Sequence, residues 1–341
     1  MLGLSGNVRA TNLVDEGTVY YTNSHIRAEG WGAMSTDVSQ HVRMYVKDCL
    51  IETVKSGYGA YSIGDSIDHF SHSRFDVADV ALIMAAQGSG VFTDGTVVNS
   101  RRYGVMMHSG GAGGVLTIDR GSVFNTASTA IQVKGRGGTI VIDDASVRPA
   151  NGILIQAMVN DDPFAAGAGP GPIIGVQEGP AQPGGGAPGA PPGGREKSDA
   201  NPPVIATLRN ATLVGDVINS RTAQGELRLS LDHARLTGAV STAAQAPASG
   251  KAPDRETYRL IGQVRNTFGP SHDRYGLDLS LDGGSSWTVT RTSYLTALAI
   301  APGARIAGKG GSGVVMTVDG KSVPIAPGSY RGAITLTVAG T

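Results

Sequence analysis

The chain has 341 residues, with 28 basic side chains against 28 acidic ones and only 16% charged residues in all. A neutral chain has no electrostatic pull toward nucleic acid or anionic lipid, so neither is expected as a partner. Glycine is abundant at 50 residues, aromatics are scarce at 5%, and the single cysteine, Cys49, excludes an intrachain disulfide.

No apolar run is long enough for a membrane span. The opening Met1-Leu2-Gly3-Leu4-Ser5-Gly6 lacks the basic and apolar regions of a signal peptide. A removed signal leaves no trace, so secretion or display at the cell surface stays open.

The first repeat signal is Asn23-Ser24-His25-Ile26: polar, small, polar, aliphatic. The phrase returns as Asp48-Cys49-Leu50-Ile51, His72-Ser73-Arg74-Phe75, Asp94-Gly95-Thr96-Val97, Arg120-Gly121-Ser122-Val123 and Asp144-Ala145-Ser146-Val147. After a gap come Asn210-Ala211-Thr212-Leu213 and His233-Ala234-Arg235-Leu236. Its hydrophobic member recurs at intervals of 25, 24, 22, 26, 24, 66 and 23 residues. Self-similarity at such a period marks a solenoid. The fold class is therefore all-β, a parallel β-helix with rungs of about 24 residues. Short strands alternate inward and outward, and rungs stack roughly 4.8 Å apart. Positions 26, 51, 75, 97, 123 and 147 then form one inward ladder. The small column Ser24, Cys49, Ser73, Gly95, Gly121, Ala145, Ala211 and Ala234 suits a tight corner and makes Cys49 a buried ladder residue.

A second strand follows in each rung. Its expected inward column is Ala33, Ala60, Leu82, Val105, Ile131 and Ile153. Its expected outward column is Met34, Tyr61, Ile83, Met106, Gln132 and Leu154, with Thr36, Ile63, Ala85, His108, Lys134 and Gln156 two residues further on. Residues 1–160 are thus read as rungs.

The 66-residue interval exceeds a 24-residue rung by 42, the length of the Pro/Gly-rich segment 161–202. Its low apolar content cannot repay the entropy of ordering, so it reads as a disordered insert between two normal rungs. Residues 203–254 resume the rungs and end in a polar connector from Ser241 to Asp254. Residues 255–341, with strands at Leu277–Leu281, Trp287–Val289, Tyr294–Ile300, Val314–Val318 and Ala333–Val338, read as last rungs and a C-terminal β cap. Solenoid ends expose apolar surface and strand edges and need such covers. The abrupt first rung needs one too, for which a second copy or a partner chain is the candidate.

The rung phrase with its Gly-containing second strand resembles the pectin-lyase-like right-handed β-helix superfamily. The tail is similar to the closing segment of large bacterial β-helix proteins. The matching residues are Trp287-Thr288-Val289, Ser293-Tyr294-Leu295-Thr296, Met316-Thr317-Val318-Asp319-Gly320 and Pro327-Gly328-Ser329-Tyr330. The resemblance implies a right-handed coil. It does not select an activity, because that superfamily holds lyases, hydrolases, isomerases and adhesins.

The superfamily's polygalacturonase-like phrases are missing apart from the acidic pairs Asp143-Asp144 and Asp161-Asp162, and Asp144 sits at the rung's turn. No calcium repeat, HExxH or zinc spacing occurs, so no metal and no cofactor is expected. What remains is the outward face of the second strand. Adjacent rungs place Tyr61, His108 and Lys134 on it as a candidate acid–base set. Met34, Asp37, Lys55, Tyr58, Asp79, Met106, Gln132 and Gln156 are candidate substrate-binding residues on the same face or its rim. The expected function is metal-free lyase or isomerase chemistry on a small or carbohydrate-like substrate. The alternative is an extracellular adhesin-like or structural solenoid without catalysis, its apolar outer columns covered by a loop, the tail or a partner. The glycines of Lys55-Ser56-Gly57-Tyr58-Gly59 read more readily as turn residues than as a ligand approach.

Overall fold

The first residue of the recurring phrase turns the chain. Asn23, Asp48, His72, Asp94, Arg120, Asp144, Asn210 and His233 all hold φ between +45° and +54°. Short polar side chains tolerate this left-handed conformation better than aliphatic ones do. In the computed structural model, which describes residues 2–3, 10–14, 16–37, 40–85, 88–108, 114–163, 202–254 and 256–339, these turns build a parallel β-solenoid of about seven coils.

Three faces result. The first sheet stacks His25–Ala28, Leu50–Thr53, Arg74–Val77, Val97–Ser100, Val123–Thr126 and Ser146–Pro149 in parallel. The second runs from Tyr58–Ile63 through Val80–Ala85, Tyr103–His108, Ile131–Val133, Ile153–Ala157 and Asp216–Asn219 to Val240–Pro247. The third begins at Gly17–Thr22 and reaches Ser293–Ile300. Strand Val204–Arg209 lies directly on Gly138–Asp143, so the rungs flanking the Pro/Gly-rich segment stack as neighbours. Residues 164–201 lie outside the described residues. At the C-terminal end Gly328–Val338 pairs antiparallel with Ser293–Ile300 and Val314–Val318, which closes the solenoid with a β cap.

The interior ladder differs from the sequence expectation at two rungs. Phe75 pairs with Val98, and Val98 with Phe124, so the inward column is Ile26, Ile51, Phe75, Val98, Phe124 and Val147. Val98 and Phe124 are 0% exposed, whereas Val97 and Val123 face outward. The cause is the turn: at Asp94-Gly95 and Arg120-Gly121 both residues have positive φ. These corners spend two residues instead of one, which shifts the strand that follows by one position. The small corner column therefore passes through Thr96 and Ser122. Cys49 keeps its place there, buried, with its backbone N–H donating to Ser73 Oγ at 3.2 Å. Burial pushes its thiol pKa up.

Around this column Phe70, Phe75, Phe92 and Phe124 form an aromatic cluster with ring centroids 4.9 to 5.5 Å apart. The register predicts opposite outcomes for adjacent valines. Val98→Ala should cost about 2 kcal/mol in denaturant unfolding, as a buried truncation, and Val97→Ala less than about 1 kcal/mol. The reverse order would show the register to be wrong.

The expected polar connector Ser241–Asp254 and the start of the expected last rungs from 255 form a different structure. Val264–Phe268 turns back antiparallel along Ala243–Pro247. This carries the short 3-10 turn Tyr258–Leu260 and the following Ile261 and Gly262 across the outer face of the second sheet. The segment is a strap.

Candidate functional site

The second sheet brings the expected outward columns together, with two corrections of register. Tyr61, Ile83, Met106 and Gln132 align as expected, but Gln132 pairs with Gln156, not with Leu154. A bulge between Ile153 and Ile155 causes the shift and turns Leu154 into the interior. Gln156 thus belongs to the Gln132 column. Met34 is also misplaced by the sequence reading. The isolated bridge of Gly32 with Tyr58 sets the first rung one residue off, so Met34 is 0% exposed among core residues and cannot meet a ligand.

The strap covers these columns. Arg102 donates to the carbonyls of Arg259 at 2.5 Å and Ile261 at 3.3 Å, and Tyr103 Oη donates to Ile261 O at 3.4 Å. Gln132 Nε2 donates to Gly262 O at 2.9 Å, and Gln156 Nε2 to Asn266 Oδ1 at 2.9 Å. Gly262 has φ +82°, and a Cβ there would lie 2.5 Å from Gln132 Oε1 and 3.1 Å from Met106 Cε. Only glycine lets the backbone lie this close. On this face Tyr58, Tyr61, Val80, Ile83, Ala85, Tyr103 and Met106 form an apolar cluster of their own, which the strap meets at Tyr103 and Met106.

His108 and Lys134 are neighbours at the edge of this face, and Asp161 and Asp162, the first two residues of the expected insert, complete the group and are ordered against the solenoid. Lys134 Nζ lies 2.6 Å from Asp161 Oδ1, and the other oxygen of Asp161 accepts the Gly262 N–H at 2.7 Å. His108 Nδ1 lies 3.9 Å from Asp162 Oδ2. The Lys134 and His108 side chains are 0% and 3% exposed. Burial holds the Lys134 ammonium below its usual pKa, against the pull of Asp161. Burial, then the adjacent Lys134 charge, drives His108 well below the ordinary imidazole value, so it is neutral near pH 7. Its Nε2 has no hydrogen-bond partner among the described residues. Arg221, 1% exposed and held near a pKa of 10 by burial, donates to the Gly135 carbonyl beside Lys134.

The other expected site residues serve elsewhere. Tyr61 lies two strands from His108, with Ile83 and Ala85 on the strand between, about 10 Å away at the spacing of stacked rungs. Its ring packs on Tyr58 at 5.4 Å instead. Lys55 is 78% exposed in an ion pair with Glu29 at 3.2 Å. Asp79 accepts the Gly57 N–H at 2.5 Å and faces Arg102 at 3.5 Å, which ties a turn to the next rung. Gly57, at φ +105°, is a turn glycine. The side chain of Asp37 lies outside the described residues. Sequence reasoning missed Arg102, Asp161, Asp162, Arg221 and Gly262. The one available signal was the Asp161-Asp162 pair placed one rung after Lys134.

A different face is open. On the first sheet the outward positions Glu52, Asp76, Asn99, Asn125 and Arg148 stack rung on rung. Asn99 Nδ2 donates to Asp76 Oδ1 at 2.8 Å, and Asn125 Nδ2 to Asn99 Oδ1 at 2.9 Å. This ladder lines a groove of about 640 Å³ together with Arg101. Elsewhere Asp232, His233 and Asp282 meet at an exposed corner. His233 Nδ1 lies 2.9 and 3.0 Å from the two carboxylates, which keep the imidazole protonated to higher pH. Among the described residues no helix is long and apolar enough to cross a membrane.

No family model matches the chain, and no curated protein or solved structure is significantly similar to it.

The Lys134–Asp161–Gly262 arrangement is a latch, because a charge buried without its partner costs far more than the pair does. Lys134→Ala should lose roughly 3–5 kcal/mol of stability and speed hydrogen exchange in residues 256–268. The paired change Lys134→Met with Asp161→Leu should restore a large part. Unchanged exchange in the strap of Lys134→Ala would rule the latch out.

Proposed function

We propose that this chain is an adhesin-like β-solenoid that binds an extended, hydroxyl-rich polymer along its first sheet and carries out no turnover. The observation that carries this reading is the groove lined by Asp76, Asn99, Asn125 and Arg148. Its carboxylate, amide and guanidinium groups recur at the rung spacing of about 4.8 Å, so one linear ligand can meet several in succession. Arg148 supplies donors, Asp76 acceptors, and the asparagines both. The resemblance to the pectin-lyase-like superfamily, which includes adhesins, agrees with this, as does the lack of that superfamily's catalytic phrases. By contrast His108 and Lys134 are buried, with Lys134 tied through Asp161 to Gly262 of the strap. Affinity electrophoresis through gels containing neutral or acidic polysaccharides tests the reading. At least one polymer should retard the protein, and Asn99→Ala/Asn125→Ala should weaken retardation about tenfold, for two lost contacts of roughly 0.5–1.5 kcal/mol each. Equal mobility in every gel would end it.

A second reading, metal-free acid–base chemistry of the lyase or isomerase class, is favoured by His108 Nε2, a buried basic nitrogen without a partner among the described residues. It requires the strap to open. An elimination on acidic glycans would raise ultraviolet absorbance through the new conjugated double bond, and His108→Ala should abolish that signal while preserving the fold. A signal that survives His108→Ala, or none on any glycan, would reject this reading.

A further inference from the structure

Inside the coil one side chain breaks the apolar rule. Asp68 occupies an inward position of the third sheet, between Met44 on one strand and Gly90 on the next. It is 0% exposed, and neither of its carboxylate oxygens has a hydrogen-bond partner of good geometry among the described residues. Two further buried inward oxygens stand on the same rung: Ser62 Oγ and Ser66 Oγ lie 2.5 Å apart, both residues 1% exposed or less. The next rung passes tightly over them at Gly88, where a Cβ would come within 2.8 Å of Ser66 O and 2.9 Å of Ser62 Oγ. Burial raises the Asp68 pKa to about 7, partly offset by the Ser62 hydroxyl, and no charged side chain contributes.

A buried carboxylate with no charged partner has to be neutralised, by a proton or by a cation. Among the described residues the surroundings supply the Ser62 and Ser66 hydroxyl oxygens and no side-chain N–H donor, which is the donor set of a hard cation. One carboxylate balances one positive charge. We propose that Asp68, with the hydroxyls of Ser62 and Ser66, forms an internal site for a single alkali-metal cation. This inference is independent of the proposed binding function, since it concerns the interior and not the first-sheet groove.

The sign follows from linkage. The folded-state pKa of Asp68 lies above the unfolded carboxylate value of about 3.9. Without a cation, stability therefore falls as pH rises from that value through about 7. A cation that binds only the ionised folded form restores stability at alkaline pH. The test is thermal unfolding at pH 5 and pH 8 in equal ionic strengths of sodium, potassium or choline chloride. At pH 8 sodium or potassium should raise the midpoint by about 2 °C or more over choline, with no difference at pH 5. Asp68→Asn should abolish the cation effect, and Ser62→Ala should weaken it while leaving the chain folded. Equal midpoints in all three salts at pH 8, or a cation effect that persists in Asp68→Asn, would show that no alkali-metal cation is bound at Asp68. Stabilisation by calcium chloride alone would overturn the alkali-metal assignment.

Discussion

Each coil must turn a corner in one or two residues and then lay its strand in register on the strand below, and the left-handed corner residue satisfies both demands. An aliphatic residue at positive φ costs roughly 1–2 kcal/mol. Asn and Asp carry less of that cost, and they fill five of the eight corners of the recurring phrase. Their side chains face solvent and pair along the stack, as Asn210 with Asp143 at 2.9 Å and Arg120 with Asp94 at 3.4 Å. The polar member of the repeat is thus a backbone requirement, and the inward aliphatic residue that follows is placed by it. A change in corner length moves the side chains of the strand that follows to the opposite face.

That dependence explains which parts of the architecture the sequence made legible. The interval of the phrase revealed a parallel solenoid, and the 66-residue gap revealed rungs flanking an insert. Cys49 fell in a buried corner ladder, as its small neighbours implied. The errors are slips of one or two residues with identifiable causes. Asp94-Gly95 and Arg120-Gly121 differ from the other corners only in a second residue at positive φ, which alternation alone does not reveal. The misplacement of Met34 and Leu154 comes from an irregular first rung and a bulge, neither of which leaves a mark in hydropathy.

The candidate site shows a different limit. The columns correctly put His108 beside Lys134 and Gln132 beside Met106, yet they could not say what lay over them. The strap is polar, and it binds mainly through its own backbone, at Arg259 O, Ile261 O and both polar groups of Gly262. Backbone groups are the same in every residue, so such docking has no compositional signature. Only Gly262 carries a trace, since its missing side chain admits Gln132 and Met106. The outward Met and Ile columns were a fair sign of a covered face, but they did not identify the cover.

Covering one face changes the meaning of its charges. In water Lys134 and Asp161 would contribute little, about 0–1 kcal/mol for an exposed pair. Under the strap each becomes indispensable to the other, since either alone is an uncompensated buried charge. The same face therefore cannot easily be both a latch and an open acid–base site, because Lys134 is already committed, through Asp161, to holding Gly262. The first sheet has no such conflict. Its outward ladder is polar from Glu52 to Arg148, no strap crosses it among the described residues, and the amides of Asn99 and Asn125 are already aligned by their neighbours. A ligand there would meet preorganised groups without displacing any part of the fold, which lowers the entropic cost of binding.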